Sequence, residues 1–264
     1  MSAILSVKNL TVSIPAQRRT IIDDISFDVN AGEVLVLSGA NGCGKSTIIR
    51  TIVKDRGLDG LRIRGTISFE NHADILSFTY DQLQENLRKR IGYVSQKDEY
   101  ESKGKKVSVA DCLRDSAAEF ATPYKLTKDD IAKMLLTYAP NREEIGKPQY
   151  EGKSNVRTLS GGQQRLLTII SKVVVREKAR LFIIDEPLNN LDTDNMINVS
   201  NLINMIHRNN PSAAFLIVTH CRIFPFITRR IEIGNGKIIN IHTNTKKDCY
   251  DCVGIAGDDG FYKI

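Results

Sequence analysis

The chain has 264 residues, of which 41% are hydrophobic and 26% charged, a balance typical of a globular protein with a substantial core. It has no apolar run near the ~18 residues of a membrane helix and no leader-like amino end, so we expect a cytoplasmic protein. The formal net charge of +6 would suit an anionic partner, but the basic clusters at 103–106 and 245–248 lack interleaved aromatics and are predicted to be solvated surface.

The first part of the chain alternates strands and helices. Strand-like alternation at 4–14 and 21–29 is followed by a buried strand at 32–39, which enters a glycine-rich loop. A helix is predicted at 45–54, a strand at 64–71, a second helix at 80–90, and a short strand, "IGYVSQ", that ends at Gln96.

The pattern changes at residues 97–158, which are polar and contain helical segments at 108–120 and 127–139. Beyond "LSGG" we predict a helix at 163–177, a strand at 179–185, a helix at 193–208, a strand at 212–220 and a hairpin around Asn235-Gly236. Strands that alternate with helices indicate an α/β fold with a largely parallel sheet and covered faces. We predict no element for the tail, "CYDCVGIAGDDGFYKI".

The glycine-rich loop, "GANGCGKST" at 39–47, matches the phosphate-binding pattern G-x-x-x-x-G-K-[ST]. Its context supports the match, since a strand precedes it and a helix follows. Backbone N–H groups and the helix N-terminus would hold the β-phosphate, Lys45 would reach the β- and γ-phosphates, and Ser46 could ligate Mg²⁺. The predicted phosphate-binding residues are Gly39, Ala40, Asn41, Gly42, Cys43, Gly44, Lys45, Ser46 and Thr47.

Polar residues follow three of the predicted strands. Asp185 and Glu186 end the strand "LFIID", where parallel sheets place their ligands, and we expect Asp185 to bind Mg²⁺ and Glu186 to act as base for the attacking water. Gln96 could orient water or ligate Mg²⁺ through its carbonyl. His220 could hydrogen-bond the γ-phosphate or its attacking water, or could be a packing histidine.

A second glycine-containing loop, "LSGGQ" at 159–163, raises the question of which phosphate it would face. The helix after it has about 15 residues and would span ~22 Å. We therefore expect Ser160, Gly161 and Gly162 to lie one helix length from Asp185, too far from the nucleotide of their own chain. A second copy, related by a two-fold axis, would then supply this loop to its neighbour's nucleotide.

These motifs, in this order, resemble those of the ATP-binding cassette (ABC) ATPase domain over nearly the whole chain. The resemblance rests on the loop at 39–47, Gln96, "LSGGQ", "LFIIDE" at 181–186, "NNLD" at 189–192 and His220. It implies a RecA-like P-loop core (1–96 and 159–264) in a single domain of 1–264, an antiparallel β region at the amino end, and a helical subdomain (97–158). It further implies ATP and Mg²⁺ as ligands and nucleotide contacts from Ser160, Gly161, Gly162, Gln163 and Asp192.

The resemblance also implies partners. The chain is expected to be the ATP-hydrolysing subunit of a transporter, peripheral on the inner face of the cell membrane, paired with a second copy or a homologue, and bound to separate transmembrane permease subunits. An ABC ATPase that acts on nucleic acid or protein assembly is the alternative, although we do not expect nucleic acid as a partner. A nucleotide kinase would share the first loop but would not explain "LSGGQ".

The sequence departs from the family pattern at the base-binding position. Many members stack adenine on an aromatic residue of the first β region, where this chain has Ile14 and no aromatic. The Gly-Glu-x-Gly that precedes "LSGGQ" in exporters is also absent. The five cysteines are scattered; only Cys249 and Cys252 form a C-x-x-C, for which we predict a surface thiol pair rather than zinc.

Overall fold

The computed structural model describes residues 3–55, 58–87, 89–96, 108–119, 126–138, 156–174, 179–219, 224 and 226–243. The predicted tail, His220 and the Cys249–Cys252 pair lie outside these residues. The described residues form two sheets and the helices that cover them, and the predicted α/β fold is confirmed.

The amino-terminal sheet is antiparallel and three-stranded. It contains β1 (Ala3–Ile14), β2 (Arg19–Asn30) and β4 (Arg62–Phe69), in the order β2-β1-β4. A 3-10 turn (Pro15–Gln17) joins the first two strands, and Arg18 closes it in the left-handed region at φ 49°. The alternation predicted for these strands is confirmed, since Leu5, Val7, Leu10 and Val12 point into the core.

The larger sheet has six strands in the order β5-β6-β7-β3-β8-β9. Its strands are β3 (Val34–Ser38), β5 (Ile91–Val94), β6 (Leu181–Asp185), β7 (Ala214–Val218), β8 (Arg229–Gly234) and β9 (Lys237–Thr243). The first five in spatial order are parallel, and β9 is antiparallel to β8. The predicted hairpin is confirmed: Asn235 and Gly236 both have positive φ, as a two-residue turn requires.

Both faces of the parallel sheet are buried. Along β3, Val34 and Val36 belong to one apolar cluster, whereas Leu35 and Leu37 belong to the other, on the side of the antiparallel sheet. Strands buried on two faces lose the polar alternation of half-exposed strands and read as continuous apolar runs. This explains why β3, β6 and β7 are recognisable in the sequence.

The helices are α1 (Lys45–Val53), α2 (Tyr80–Asn86), α3 (Val109–Glu119), α4 (Lys128–Tyr138), α5 (Gly161–Ile169) and α6 (Thr193–Asn209). The helix predicted at 163–177 starts two residues earlier and changes to a π-helix at Ile170–Val174. Side-chain hydroxyls compete for carbonyls at this transition: Thr168 donates to the Gln164 oxygen (2.8 Å) and Ser171 to the Thr168 oxygen (2.9 Å).

The described parts of segment 97–158 include α3, α4 and a 3-10 turn (Val156–Thr158). Val109, Leu113, Ile131 and Leu135 join the same apolar cluster as Phe182 of β6, so these helices share the core of the sheet. None of the helices among the described residues has the length and hydropathy to cross a bilayer.

Candidate functional site

The loop at 39–47 connects β3 to α1 and is shaped by close contacts. Gly39 has φ 140°, and a Cβ at this position would overlap the Ile233 carbonyl oxygen. Gly44, the N-cap of α1, has φ 109°. The buried ammonium of Lys45 donates to the carbonyl oxygens of Gly39 (2.7 Å) and Ala40 (3.1 Å), which closes the loop around this cation.

Asp185, the last residue of β6, lies directly below this loop. Its carboxylate is buried, and the Ser46 hydroxyl at the start of α1 lies close enough to favour its charged form. Burial raises the pKa of Asp185 to about 6, and the adjacent Glu186 adds to the rise. The Asp185 Oδ1 atom is buried without a hydrogen-bond partner. Such an orphaned carboxylate oxygen is costly and indicates a position for a ligand that the protein itself does not supply.

Glu186 begins the turn that follows β6. Its φ of 46° lies in the left-handed region, which costs free energy for a residue with a side chain. The turn is held by the Glu186 N–H, which donates to the Val218 oxygen of β7 (2.8 Å), and by the Asn189 N–H, which donates back to the Glu186 oxygen (3.3 Å). Backbone strain at a buried carboxylate is typical of functional sites.

A cleft of about 370 Å³ opens over the loop. It is lined by Ile21, Asn41, Gly42, Gly44, Lys45, Ser46, Thr47, Gln96, Glu186 and Asn189. The structure therefore brings together the glycine-rich loop, Gln96 and Glu186, as the sequence predicts. His220 lies outside the described residues; the Thr219 N–H before it donates to the Leu37 oxygen at the end of β3 (3.1 Å).

Residues at this edge fit a magnesium ion. Asp185 offers an unpartnered oxygen, Ser46 a hydroxyl beside it, and Gln96 an amide at the cleft wall. Among the described residues, no group of three or more His, Cys, Asp or Glu could hold a metal. Mg²⁺ is commonly bound by one or two protein oxygens together with substrate phosphates and water, so a sparse donor set of this kind suits it.

The LSGGQ loop (residues 159–163) forms the N-terminus of α5. Ser160 and Gln163 make a reciprocal capping box: the Ser160 hydroxyl accepts from the Gln163 N–H (3.3 Å) and the Gln163 amide oxygen accepts from the Ser160 N–H (2.8 Å). Ser160 and Gly161 are exposed and do not line the cleft.

The two glycines of this loop have different surroundings. A Cβ on Gly162 would overlap the side chain of Asn195, which is itself held by the Asp192 carboxylate at the N-cap of α6. A Cβ on Gly161 would meet no atom of the described residues within 4 Å. Contacts within the described residues therefore require glycine at 162 but not at 161.

The distance predicted between this loop and Asp185 is wrong. Arg165, in the first turns of α5, donates to the carbonyl oxygens of Asp185 (2.9 Å) and Ser95 (2.9 Å), at the carboxyl ends of their strands. Lys172, in the π-helical end, lies instead beside Gly92 near the start of β5. The helix thus runs from the carboxyl edge of the sheet, where the LSGGQ loop lies, to the opposite edge, and β6 then brings the chain back to the carboxyl edge. The length of the helix therefore separates the loop from the amino edge of the sheet and not from Asp185.

Sequence reasoning missed Ile21, Arg165 and Asn195 in this region, and it gave Asn189 no role beyond its place in the "NNLD" match. Ile21, on β2, lines the cleft, whereas the expected Ile14 is half-buried outside its lining. Arg165 had one usable signal, because an arginine flanked by a glutamine and a leucine in an apolar helix requires a partner when it faces the core. Ile21 and Asn195 depend on tertiary contacts that no local pattern announces.

Comparisons with known proteins agree with this geometry. The family model for "ABC transporter" matches residues 22–189, more than half of the chain. The chain is 28% identical over 255 residues to a phosphate import ATP-binding protein PstB of Mycoplasmoides gallisepticum, covering 92% of this chain and 74% of that protein. It is 30% identical over 218 residues to PstB 2 of Bacillus licheniformis, covering 82% and 73%.

Solved structures show the same fold. The cbiO1 protein from Clostridium perfringens, part of the transporter complex cbiONQ, has a TM-score of 0.71 at 22% identity and covers 93% of this chain and 90% of that one. The dimeric bacterial cassette MJ0796 has a TM-score of 0.70 at 17% identity, with 90% and 98% covered. With the glycine-rich loop, Asp185 and Glu186 at one cleft and the family model over most of the chain, this protein belongs to the ABC transporter family, as an ATPase subunit.

Proposed function

We propose that the chain binds ATP with Mg²⁺ in the cleft over the glycine-rich loop and hydrolyses it inside a dimer of two such subunits. Hydrolysis in this dimer drives separate transmembrane permease subunits at the inner face of the membrane. The observation that carries the proposal is the contrast between a cleft lined by Lys45, Gln96 and Glu186 and an exposed Gly161, where an added Cβ would meet none of the described residues.

The cleft supplies the binding and proton-transfer groups. Lys45 exchanges its bonds to the loop carbonyls for the β- and γ-phosphates, and the backbone N–H groups at the start of α1 hold the β-phosphate. Asp185, Ser46 and Gln96 would hold Mg²⁺, which supplies neutralisation of the phosphate charge when bound. Glu186 accepts the proton of the attacking water, and from the sequence we assign to His220 a hydrogen bond to the γ-phosphate or to that water.

The LSGGQ loop serves the partner's nucleotide in this proposal. Because the loop begins at the carboxyl edge of the sheet, its distance from Asp185 no longer argues against a contact with the nucleotide of its own chain. The support comes instead from the exposure of Ser160 and Gly161 outside the cleft and from the space at Gly161 that no described residue fills. A phosphate packed against the backbone there would account for the glycine and would use the N-terminus of α5 as an anion site. Asp192 is linked to this loop through Asn195, whose side-chain amide donates to the Asp192 carboxylate and lies against Gly162.

The names of relatives support the transport role. PstB and the zinc import protein ZnuC of Vibrio vulnificus are ATP-binding proteins of import systems, and cbiO1 is part of a transporter complex. Co-purification of this chain with a polytopic membrane protein from its native source, dependent on intact membranes, would be the expected result.

The test of the dimer is Ser160→Arg. The variant should lose ATP hydrolysis while its monomer binds ATP with nearly unchanged affinity, because the arginine would block only the partner's phosphate. A variant that loses monomer binding as well would show that the loop serves its own chain's nucleotide. Thr158→Arg, two residues earlier and exposed, is the matched control for an added arginine.

A further inference from the structure

Arg165 makes an unusual set of hydrogen bonds. Its guanidinium donates to four backbone carbonyl oxygens: Ser95 (2.9 Å), Asp185 (2.9 Å), Glu186 (3.2 Å) and Pro187 (3.3 Å). The first lies one residue before Gln96, and the other three span the turn that carries the two carboxylates. One side chain therefore joins the ends of β5 and β6 behind the cleft.

The planar geometry of arginine is necessary for this arrangement. Its five N–H donors point in fixed directions and can reach several acceptors at once, whereas the ammonium of a lysine is a compact point charge. The carbonyls that Arg165 holds belong to a strained turn, since Glu186 has φ 46°. Such a turn persists only when its surroundings over-determine it, and Arg165 supplies bonds to three consecutive carbonyls of it.

Arg165 also belongs to α5, the helix that begins with the LSGGQ loop, so two roles for it must be compared. It could shape the cleft of its own chain through Gln96 and Glu186, or it could hold the loop that the partner's nucleotide contacts. The bonds to the described strand ends favour the first role: these four join the two strand ends at the cleft, whereas the loop is held by its own capping box and packs against Asn195.

We infer that Arg165 is a positioning residue for the catalytic cleft of its own chain, which fixes Glu186 and Gln96 relative to each other for hydrolysis without contacting the nucleotide. This inference rests on the proposed dimer and goes beyond it. A misplaced catalytic group typically costs up to ~10²-fold in rate, and the effect falls on kcat when ground-state binding does not depend on the position.

Arg165→Gln separates positioning from general stability. We expect monomer ATP affinity to change less than about threefold, while kcat falls at least ~10-fold with little change in KM. Arg165→Ala should regain part of its kcat when guanidinium is added at concentrations far below those that unfold the protein. Arg180→Gln, which removes an arginine from the opposite end of β6, is the control and should leave kcat unchanged.

Mixing variants distinguishes the two roles. In a dimer of Ser160→Arg with Arg165→Gln, one site combines an intact cleft with an intact LSGGQ loop. If Arg165 acts on its own cleft, an equal mixture should reach up to about a quarter of the wild-type rate, because half of the dimers are mixed and each has one complete site. Ser160→Arg mixed with Lys45→Ala, which loses its own nucleotide site without trapping an ATP-bound homodimer, is the positive control.

The outcomes are distinct. Rescue in the control mixture but not in the Arg165 mixture would overturn the inference and leave the proposed dimer intact. No rescue in either mixture would reject the proposed dimer. Wild-type kcat in Arg165→Gln would also overturn the inference, and if that variant fails to fold, Arg165→Lys in the same mixture decides between the two roles.

Discussion

The Ser46 hydroxyl lies beside the buried carboxylate of Asp185, and the Oδ1 atom of that carboxylate has no hydrogen-bond partner. The start of the first helix after the glycine-rich loop therefore faces the end of β6. A buried carboxylate with an unpartnered oxygen has consequences for stability that can be measured without nucleotide.

The first prediction concerns pH. Because burial raises the pKa of Asp185 from its ordinary 3.8 to about 6, the folded chain holds a proton between these values that the unfolded chain has released. The free energy of unfolding therefore falls as pH rises through this window, by ~3 kcal/mol from this residue, and levels off above the folded-state pKa. Asp185→Asn should remove this dependence.

The measurement is urea unfolding of wild type and Asp185→Asn, without Mg²⁺ or nucleotide, from acidic to neutral pH. The variant should gain stability relative to wild type as pH rises through the window, whereas Asp59→Asn, at an exposed position, should not. Parallel curves for wild type and Asp185→Asn would contradict the assignment.

The second prediction contrasts the two glycines of the LSGGQ loop. Gly162→Ala should destabilise the monomer by ~1–3 kcal/mol, since the added methyl group overlaps Asn195. Gly161→Ala should leave stability unchanged or slightly raised, because the methyl group enters open space in the first turn of a helix. Urea unfolding measures both.

A double-mutant cycle tests the stated cause. In an Asn195→Ala background the cost of Gly162→Ala should largely disappear, and the coupling free energy should be clearly different from zero. Gly161→Ala should nevertheless lose ATP hydrolysis, because the methyl group would meet the partner's nucleotide. Full activity in Gly161→Ala would remove the main support for the dimer.

The third prediction concerns Glu186. Glu186→Gln should keep ATP binding, lower turnover by ~10²-fold or more, and accumulate an ATP-dependent dimer, because the general base is lost while the contacts to the nucleotide remain. Single-turnover hydrolysis and analytical ultracentrifugation with ATP provide the readouts. Glu232→Gln, on β8, is the matched control. Near-normal turnover would exclude Glu186 as the base.

The fourth prediction concerns the position of the adenine ring of ATP. Ile21 lines the cleft from the antiparallel sheet and offers an apolar surface where an aromatic ring would stack. Ile21→Ala should weaken ATP binding, whereas Ile21→Tyr should strengthen it, by about 0.5–1.5 kcal/mol. Equilibrium titration of ATP and GTP measures both. If Ile21→Ala binds ATP as wild type does, the adenine ring does not lie against Ile21.

The strands and the glycine-rich loop were predictable because their signals are local. β3 and β6 read as apolar runs that end in polar residues, and the loop carries its glycines where φ is positive, at Gly39 and Gly44. The position of α5 was not predictable from its length, because a crossover helix brings the chain back across the sheet. The roles of Arg165 and Ile21 follow only from the packing of elements far apart in sequence.

The most direct measurement of the central claim is a crystal structure of the Glu186→Gln variant with ATP and Mg²⁺. It should show Ser160 and Gly161 of one copy against the γ-phosphate held by Lys45 of the other. A structure in which this loop faces solvent, or the nucleotide of its own chain, would contradict the account.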